Sequence, residues 1–296
     1  VNDPEFLRLP RLEQWAILEA ATGRPRTFFL REGTGGLSPA ERSLVARWAR
    51  QRSQGHPLAY LLGFREFYGH RFWVNPAVLI PRADTELLVE HSLAVCGPDA
   101  RLLELGTGSG CITISIMKAA AAQGKRITAW ATDQSAQALA TAKNNACWHG
   151  VSVQWALGDW FAALGSAQAG LDQQEARADP LKDSLKDQMT EALRFDLIVS
   201  NPPYVAAADP HLQQGDLRFE PAEALSGIRE TQNGLGEADR IISEAPHWLR
   251  PGGSLLLEHG WNQQAEVIGL CKRAGFSEAI GLPDLTGSPR AVHARL

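Results

Sequence analysis

Asn201-Pro202-Pro203-Tyr204 directly follows the apolar run Phe195 to Val199, and Glu104-Leu105-Gly106-Thr107-Gly108-Ser109-Gly110 follows an apolar run earlier in the chain. The first motif offers oxygens to a planar NH2 group. Asn201 can point its side-chain oxygen at one N–H, the Pro202 carbonyl can accept the other, and Tyr204 can cover the group. Pro202 lacks an N–H, and with Pro203 it stiffens the loop. An amide nitrogen is a poor nucleophile because its lone pair is delocalised into the carbonyl. Two fixed acceptors can orient it and stabilise the positive charge that develops as it attacks a sulfonium methyl. No metal or covalent intermediate is needed.

The second motif suits a nucleoside ligand. Glycines at 106, 108 and 110 permit positive φ and let backbone approach a ligand without an intervening Cβ. Asp133 lies 23 residues beyond Gly110, in the range where an acid meets ribose hydroxyls. Its other reading is an N-cap for the helix that follows. After the next strand, in Gly158-Asp159-Trp160-Phe161, Asp159 can accept an adenine amino group while Trp160 or Phe161 packs on the ring. A dinucleotide dehydrogenase competes, but Glu104 precedes the glycine turn, no second mononucleotide unit appears, and Asn-Pro-Pro-Tyr has no role in hydride transfer. The paired motifs favour methyl transfer from S-adenosylmethionine to nitrogen.

Strand and helix patterns alternate from Arg101 onward. Strands are expected at 101–105, 126–132, 151–156, 195–200 and 253–258, with helices at 135–147 and 237–249. Such alternation predicts a mostly parallel sheet covered on both faces. Segments 278–282 and 291–296 can close it as a hairpin. The front of the chain reads as helical: Ser38-Pro39-Ala40-Glu41 carries a capping box and a first-turn proline. Arg42, Arg47, Arg50 and Arg52 give this part a basic face, read first as solvated. Residues 64–80 predict a short hairpin, and a helix is expected to start near Asp84 or Thr85. The polar stretch 167–190 reads as a surface insertion with a short helix at 181–189.

With 296 residues, 44% hydrophobic and 21% charged, the chain is expected to fold as a soluble protein. No run of 18 apolar residues suggests a spanning helix, and no secretion signal is evident, so a cytoplasmic location and no membrane partner are expected. A net charge of -4 argues against coating nucleic acid. Cys96, Cys111, Cys147 and Cys271 lack metal-ligand spacing and are read as buried free thiols; no metal site is predicted.

The chain resembles the release-factor glutamine methyltransferases over nearly all its length. The resemblance rests on Gly55-His56-Pro57, Leu79-Ile80-Pro81-Arg82, Asp84-Thr85-Glu86, the 104–110 and 201–204 motifs, Glu220-Pro221 with Ala224-Leu225, and Leu257-Glu258-His259-Gly260. It implies an α/β fold, with a Rossmann-like seven-stranded class I methyltransferase sheet behind a small helical domain. The implied divisions are 1–63 for helical substrate recognition, 64–83 for the hairpin and linker, and 84–296 for the methyltransferase domain. The implied substrate is the glutamine of the Gly-Gly-Gln loop of a peptide chain release factor, ribosome-associated forms included. The cofactor would be S-adenosyl-L-methionine, the product S-adenosyl-L-homocysteine beside N5-methylglutamine, and the enzyme a monomer.

Residue by residue, cofactor contacts are carried onto Glu104, Gly106, Thr107, Gly108, Gly110, Asp133, Asp159, Trp160, Phe161 and Asn201. Acceptor contacts fall on Asn201, Pro202, Pro203 and Tyr204, with Arg82 shaping the pocket. Ala83 stands where the family commonly has proline, and the front end is shorter by roughly one helix. The alternative enzyme reading is methylation of an adenine or guanine amino group in nucleic acid, which would want a basic recognition region. A third is an S-adenosylmethionine-binding module without catalysis.

Overall fold

The computed structural model describes residues 3–165, 193–227 and 233–296; the 167–190 insertion and its expected helix lie outside them. The front of the chain forms α1 (Pro4–Arg8), α2 (Arg11–Thr22), α3 (Arg26–Glu32), α4 (Pro39–Ser53) and α5 (Leu58–Leu62). Pro10 separates the first two helices, and Gly23 ends α2 at φ 69°. Ser38 and Glu41 complete the expected capping box: the Glu41 N–H donates to Ser38 Oγ at 3.2 Å, and the Ser38 N–H to Glu41 Oε2 at 2.6 Å. Phe6, Ile17, Leu18, Phe29 and Val45 pack in a core of their own. This small core packs the front helices against one another.

β1 (Phe64–Phe67) and β2 (His70–Trp73) make the expected hairpin, shorter than the 64–80 stretch from which it was read. Tyr68 and Gly69 turn the chain at φ 50° and 70°, the sign that a two-residue hairpin turn of matching twist requires. Glu86 accepts the Tyr68 N–H at 2.8 Å. Buried Asn145 grips the far end, accepting from the Trp73 N–H and donating to the Trp73 carbonyl. The hairpin is thereby fixed to the main body and not left as a free linker.

A 3₁₀ turn at Ala83–Thr85 leads into α6 (Glu86–Val95). Then follow β3 (Arg101–Leu105), α7 (Cys111–Ala122), β4 (Thr128–Asp133), α8 (Ala136–His149), β5 (Gln154–Leu157) and β6 (Phe195–Ser200). The remaining elements are α9 (Ala222–Ser226), α10 (Gly236–Trp248), β7 (Leu249–Glu258), α11 (Gln264–Arg273), β8 (Glu278–Pro283) and β9 (Pro289–Arg295). Seven strands form one sheet in the order β5-β4-β3-β6-β7-β9-β8. β5, β4, β3, β6 and β7 run parallel, while β9 pairs antiparallel with both β7 and β8. The last two strands do form a hairpin, and it folds back so that β9 touches β7. Buried side chains fill both faces: Leu102, Ile114 and Val199 on one, Leu103, Ile198 and Ile241 on the other. β3 and β6 are neighbours at the centre, where the connections diverge to opposite sides, the ordinary ligand position in open α/β sheets.

Cys96, Cys111 and Cys271 are buried, but Cys147 is exposed on α8, correcting the expectation for that thiol. The helix pattern placed it on a mixed face that the sheet leaves uncovered. Among the described residues, no helix is long and apolar enough to cross a membrane.

Candidate active site

β3 and β6 pair in register from Leu102–Leu197 to Leu105–Ser200, so both sequence motifs leave the sheet side by side. The Ser200 hydroxyl donates to the Leu105 carbonyl at 2.8 Å, tying the two strand ends together. A cavity of about 700 Å³ opens above them, within the usual range for small-molecule sites.

Gly106, Gly108 and Gly110 all have positive φ, at 70°, 55° and 81°. Their surroundings differ. A Cβ at Gly108 would meet nothing within 4 Å, whereas one at Gly106 would stand 3.0 Å from the Trp160 ring. Gly106, Thr107 and Gly108 line the cavity. At Gly110 a Cβ would lie 3.0 Å from Ile114 Cδ1 and 3.2 Å from the Ala142 Cβ. Gly110 is therefore a packing glycine that brings α7 against α8.

Glu104 lies beneath the turn. It is fully buried, accepting from the Thr107 hydroxyl at 2.7 Å and from the Thr113 N–H at 3.2 Å. It braces the glycine turn from beneath. Burial pushes its carboxyl up to about 7, partly offset by the threonine donors.

Asp133 ends β4 at the cavity. Its two oxygens accept from the Gly108 N–H at 2.9 Å and the Ser135 N–H at 2.8 Å. Ser135, not Asp133, caps α8 by accepting from the Ala138 N–H. Burial raises the Asp133 pKa against those two backbone donors. A carboxylate has about four acceptor positions, so room remains for two hydroxyl donors. The open face at Gly108 and this carboxylate fit the ribose portion of S-adenosylmethionine.

Trp160 holds φ 43°, an uncommon conformation for a bulky residue. Its ring edge packs over Gly106, and its indole N–H donates to Glu237 Oε2 at 2.8 Å. Glu237 on α10 was not anticipated, because neither spacing nor motif marks it. Asp159 lines the cavity, but Arg240 takes its Oδ2 at 2.6 Å. Phe161 is only 1% exposed and stacks on Trp248, with ring centroids 5.8 Å apart. It belongs to the core, so of the aromatic pair only Trp160 can face a ligand.

On the acceptor side, Asn201 and Pro203 line the cavity together with Arg82 and Thr85. Pro202 is buried, and Tyr204 is turned away: its hydroxyl donates to Glu258 Oε1 at 3.2 Å. The expectation that the Tyr204 ring covers the acceptor group is not met in this conformation, because the buried carboxyl holds its hydroxyl. Asn201 Nδ2 donates to Thr85 Oγ1 at 3.1 Å. Arg82 meets Glu220 at 2.5 Å, and the other Glu220 oxygen accepts the Ile80 N–H at 3.0 Å. This carboxylate clamps the linker to the chain that follows the acceptor loop.

The front helices reach the same segment. Arg52 pairs with Glu13 at 2.9 Å and with Asp216 at 2.8 Å, while His56 lies on the Phe219 ring at 4.2 Å between centroids. Arg218 donates to the Gln54 carbonyl. Arg52 is thus a bridge and not part of a solvated basic face. Among the described residues, no group of three or more His, Cys, Asp or Glu could hold a metal ion.

A family model described as the PrmC N-terminal domain matches residues 7–63. Across the whole chain, a release factor glutamine methyltransferase of Bordetella pertussis is 43% identical over 284 residues, covering 95% of this chain and 93% of that protein. The protein of the same description from Neisseria gonorrhoeae is 39% identical, covering 96% and 93%. That of Salmonella typhimurium is 37% identical, covering 97% and 92%. With the helical front, the seven-stranded sheet and both motifs on adjacent strand ends, the chain belongs to the release factor glutamine methyltransferase family.

Proposed function

We propose that this chain methylates the side-chain amide of the glutamine in the Gly-Gly-Gln loop of a peptide chain release factor, giving N5-methylglutamine. The observation that carries this reading is the placement of Asn201 and Gly106–Gly108 around one cavity at the adjoining ends of β6 and β3. Bound S-adenosylmethionine supplies the electrophilic sulfonium methyl. Asp133 would hold the ribose hydroxyls, and Trp160, fixed by Glu237, would flank the ligand beside Gly106.

Asn201 Oδ1 then accepts one N–H of the incoming amide, and the Pro202 carbonyl is assigned the other. Both stabilise charge as the nitrogen begins its attack. A proton leaves after transfer, so no strong base is required at the acceptor. Arg82, held on Glu220, sets the rim through which the glutamine loop enters. The front helices, joined to that rim through Arg52 and Asp216, offer the surface for the rest of the release factor.

Peptide mapping of purified release factor after incubation with enzyme and S-adenosylmethionine tests the assignment. A gain of about 14 Da on the Gly-Gly-Gln glutamine is expected from exchanging H for CH3. Absence of that gain with cofactor bound, together with methylation of a nucleic-acid amino group, would overturn it.

A further inference from the structure

Two motifs of the family resemblance have no part in the chemistry so far: Asp84-Thr85-Glu86 and Leu257-Glu258-His259-Gly260. The fold brings them together behind Asn201. β6 and β7 pair with Ser200 opposite Leu257, so Asn201 and Glu258 emerge on neighbouring strand ends. Thr85, only 2% exposed, comes from the linker turn and accepts the Asn201 Nδ2–H. Glu258 is 1% exposed. Its Oε1 accepts the Tyr204 hydroxyl, and its Oε2 is buried without a hydrogen-bond partner among the described residues. Burial pushes the Glu258 carboxyl up to about 7, against the opposing pull of neighbouring Thr85, Arg290 and Tyr204. Arg290 also pairs with Asp84 at 3.1 Å.

We propose that Thr85 is a positioning residue that sets which end of the Asn201 amide faces the acceptor nitrogen. The inference rests on the acceptor role given to Asn201 above. An asparagine amide is nearly symmetric in shape, and rotation by half a turn exchanges oxygen for NH2. If the NH2 faced the cavity, it would meet the acceptor N–H groups donor to donor. A threonine hydroxyl can donate one hydrogen bond and accept two. In the structure the Thr85 hydroxyl oxygen accepts from Asn201 Nδ2 at 3.1 Å. With its NH2 given to Thr85, Asn201 presents Oδ1 to the cavity. Glu258 accepts the Tyr204 hydroxyl, so two side chains of the tetrapeptide are held from behind.

Thr85→Val removes the hydroxyl at nearly constant shape, and Thr85→Ser restores it. Each is compared with the unaltered enzyme by three measurements: kcat and KM for release factor, calorimetric affinity for S-adenosylmethionine, and the side-chain NH2 signals of Asn201 in 15N-asparagine-labelled protein, assigned by loss in Asn201→Ala. Thr85→Val is expected to lower kcat by about 10²-fold, as for a misplaced reacting group, with cofactor affinity unchanged. Its Asn201 NH2 pair should collapse toward the position of a solvent-exposed amide. Thr85→Ser should recover both kcat and the signals. Unchanged kcat or unchanged Asn201 signals in Thr85→Val would overturn the inference, as would a Thr85→Ser variant as impaired as valine. If the unaltered enzyme fails to methylate release factor, the functional reading fails. The Asn201 signals still decide the positioning role.

Discussion

The cofactor half and the acceptor half of the cavity are built in different ways. Gly106 to Gly110, Asp133 and Ser135 lie on consecutive strand–turn–helix units, and their bonds are short-range within one sheet: Gly108 to Asp133, Thr107 to Glu104, Ser135 to Asp133. The acceptor half is assembled from distant sequence. Thr85 meets Asn201, Ile80 and Arg82 meet Glu220, and Arg52 meets Asp216 across spans of 116, 140, 138 and 164 residues. The side proposed for the cofactor is mostly a local cradle, joined over long range only through Trp160–Glu237 and Asp159–Arg240. The side proposed for the acceptor exists only when linker, sheet and front helices are all in place.

That contrast can be broken by substitution. The largest effect is expected at Asn201→Ala, which should lower kcat by about 10²–10³-fold, the usual loss on removing a charge-stabilising group. S-Adenosylmethionine affinity should change little; calorimetry beside initial rates checks the split, and equal loss in both would join the two halves. Next, Asp133→Ala should weaken cofactor binding by about 1.5–3 kcal/mol, the range for hydrogen bonds to a charged group. Titration calorimetry reads it, and unchanged affinity would remove the ribose role.

Gly110→Ala should lower stability by about 1–2 kcal/mol for the left-handed conformation alone, with the contacts to Ile114 and Ala142 adding to it. Denaturant unfolding gives the value. A neutral result would mean that α7 and α8 move apart freely.

Glu104→Gln sharpens the comparison through pH. Burial raises the folded-state pKa of Glu104 from 4.5 to about 7. Its stabilising contribution is therefore full below about 4.5 and lost as pH rises through about 7. Relative to the unaltered protein, Glu104→Gln should gain stability between pH 5 and 8, read as a rising difference in Tm. A flat difference would show that Glu104 stays ionised beneath the glycine turn. The smallest effect on turnover belongs to Arg52→Ala. It should raise KM for release factor by a few-fold and cost about 1.5–3 kcal/mol of stability, because the removed guanidinium is only 20% exposed and pairs with both Glu13 and Asp216. A matching fall in cofactor affinity would show that the front helices act on both halves.

This division also explains what could be read from the sequence. Alternating apolar strands and helices located β3 and β6 to the residue, because both are buried on two faces and bounded by a glycine turn or a proline pair. β5 was placed three residues early, since Val151 and Val153 are apolar but precede the ladder. β7 begins earlier than expected, at Leu249 and not Gly253, with an irregular register against β6. Of the residues proposed to meet the cofactor, Gly106, Gly108, Asp133 and Trp160 follow from local patterns. Glu104 and Gly110 share the motif but support it from within, a distinction that only packing reveals. Phe161 and Trp160 are neighbours in sequence, and nothing but the turn at positive φ separates their fates. Thr85, Glu220 and Glu258 could be singled out only as members of recurring motifs, since their partners lie more than fifty residues away.

The sheet order carries a consequence for synthesis. β9, latest of the strands in the chain, sits between β7 and β8, so spatial order and order of emergence disagree at that edge. Until residues 289–295 leave the ribosome, β7 presents a long row of unpaired amides and carbonyls, and β8 has no partner. An open edge of that kind is a template for pairing with other chains. A nascent chain stalled in the stretch before β9 would hold a formed cofactor cradle beside an adhesive flank, making it a natural client for chaperones.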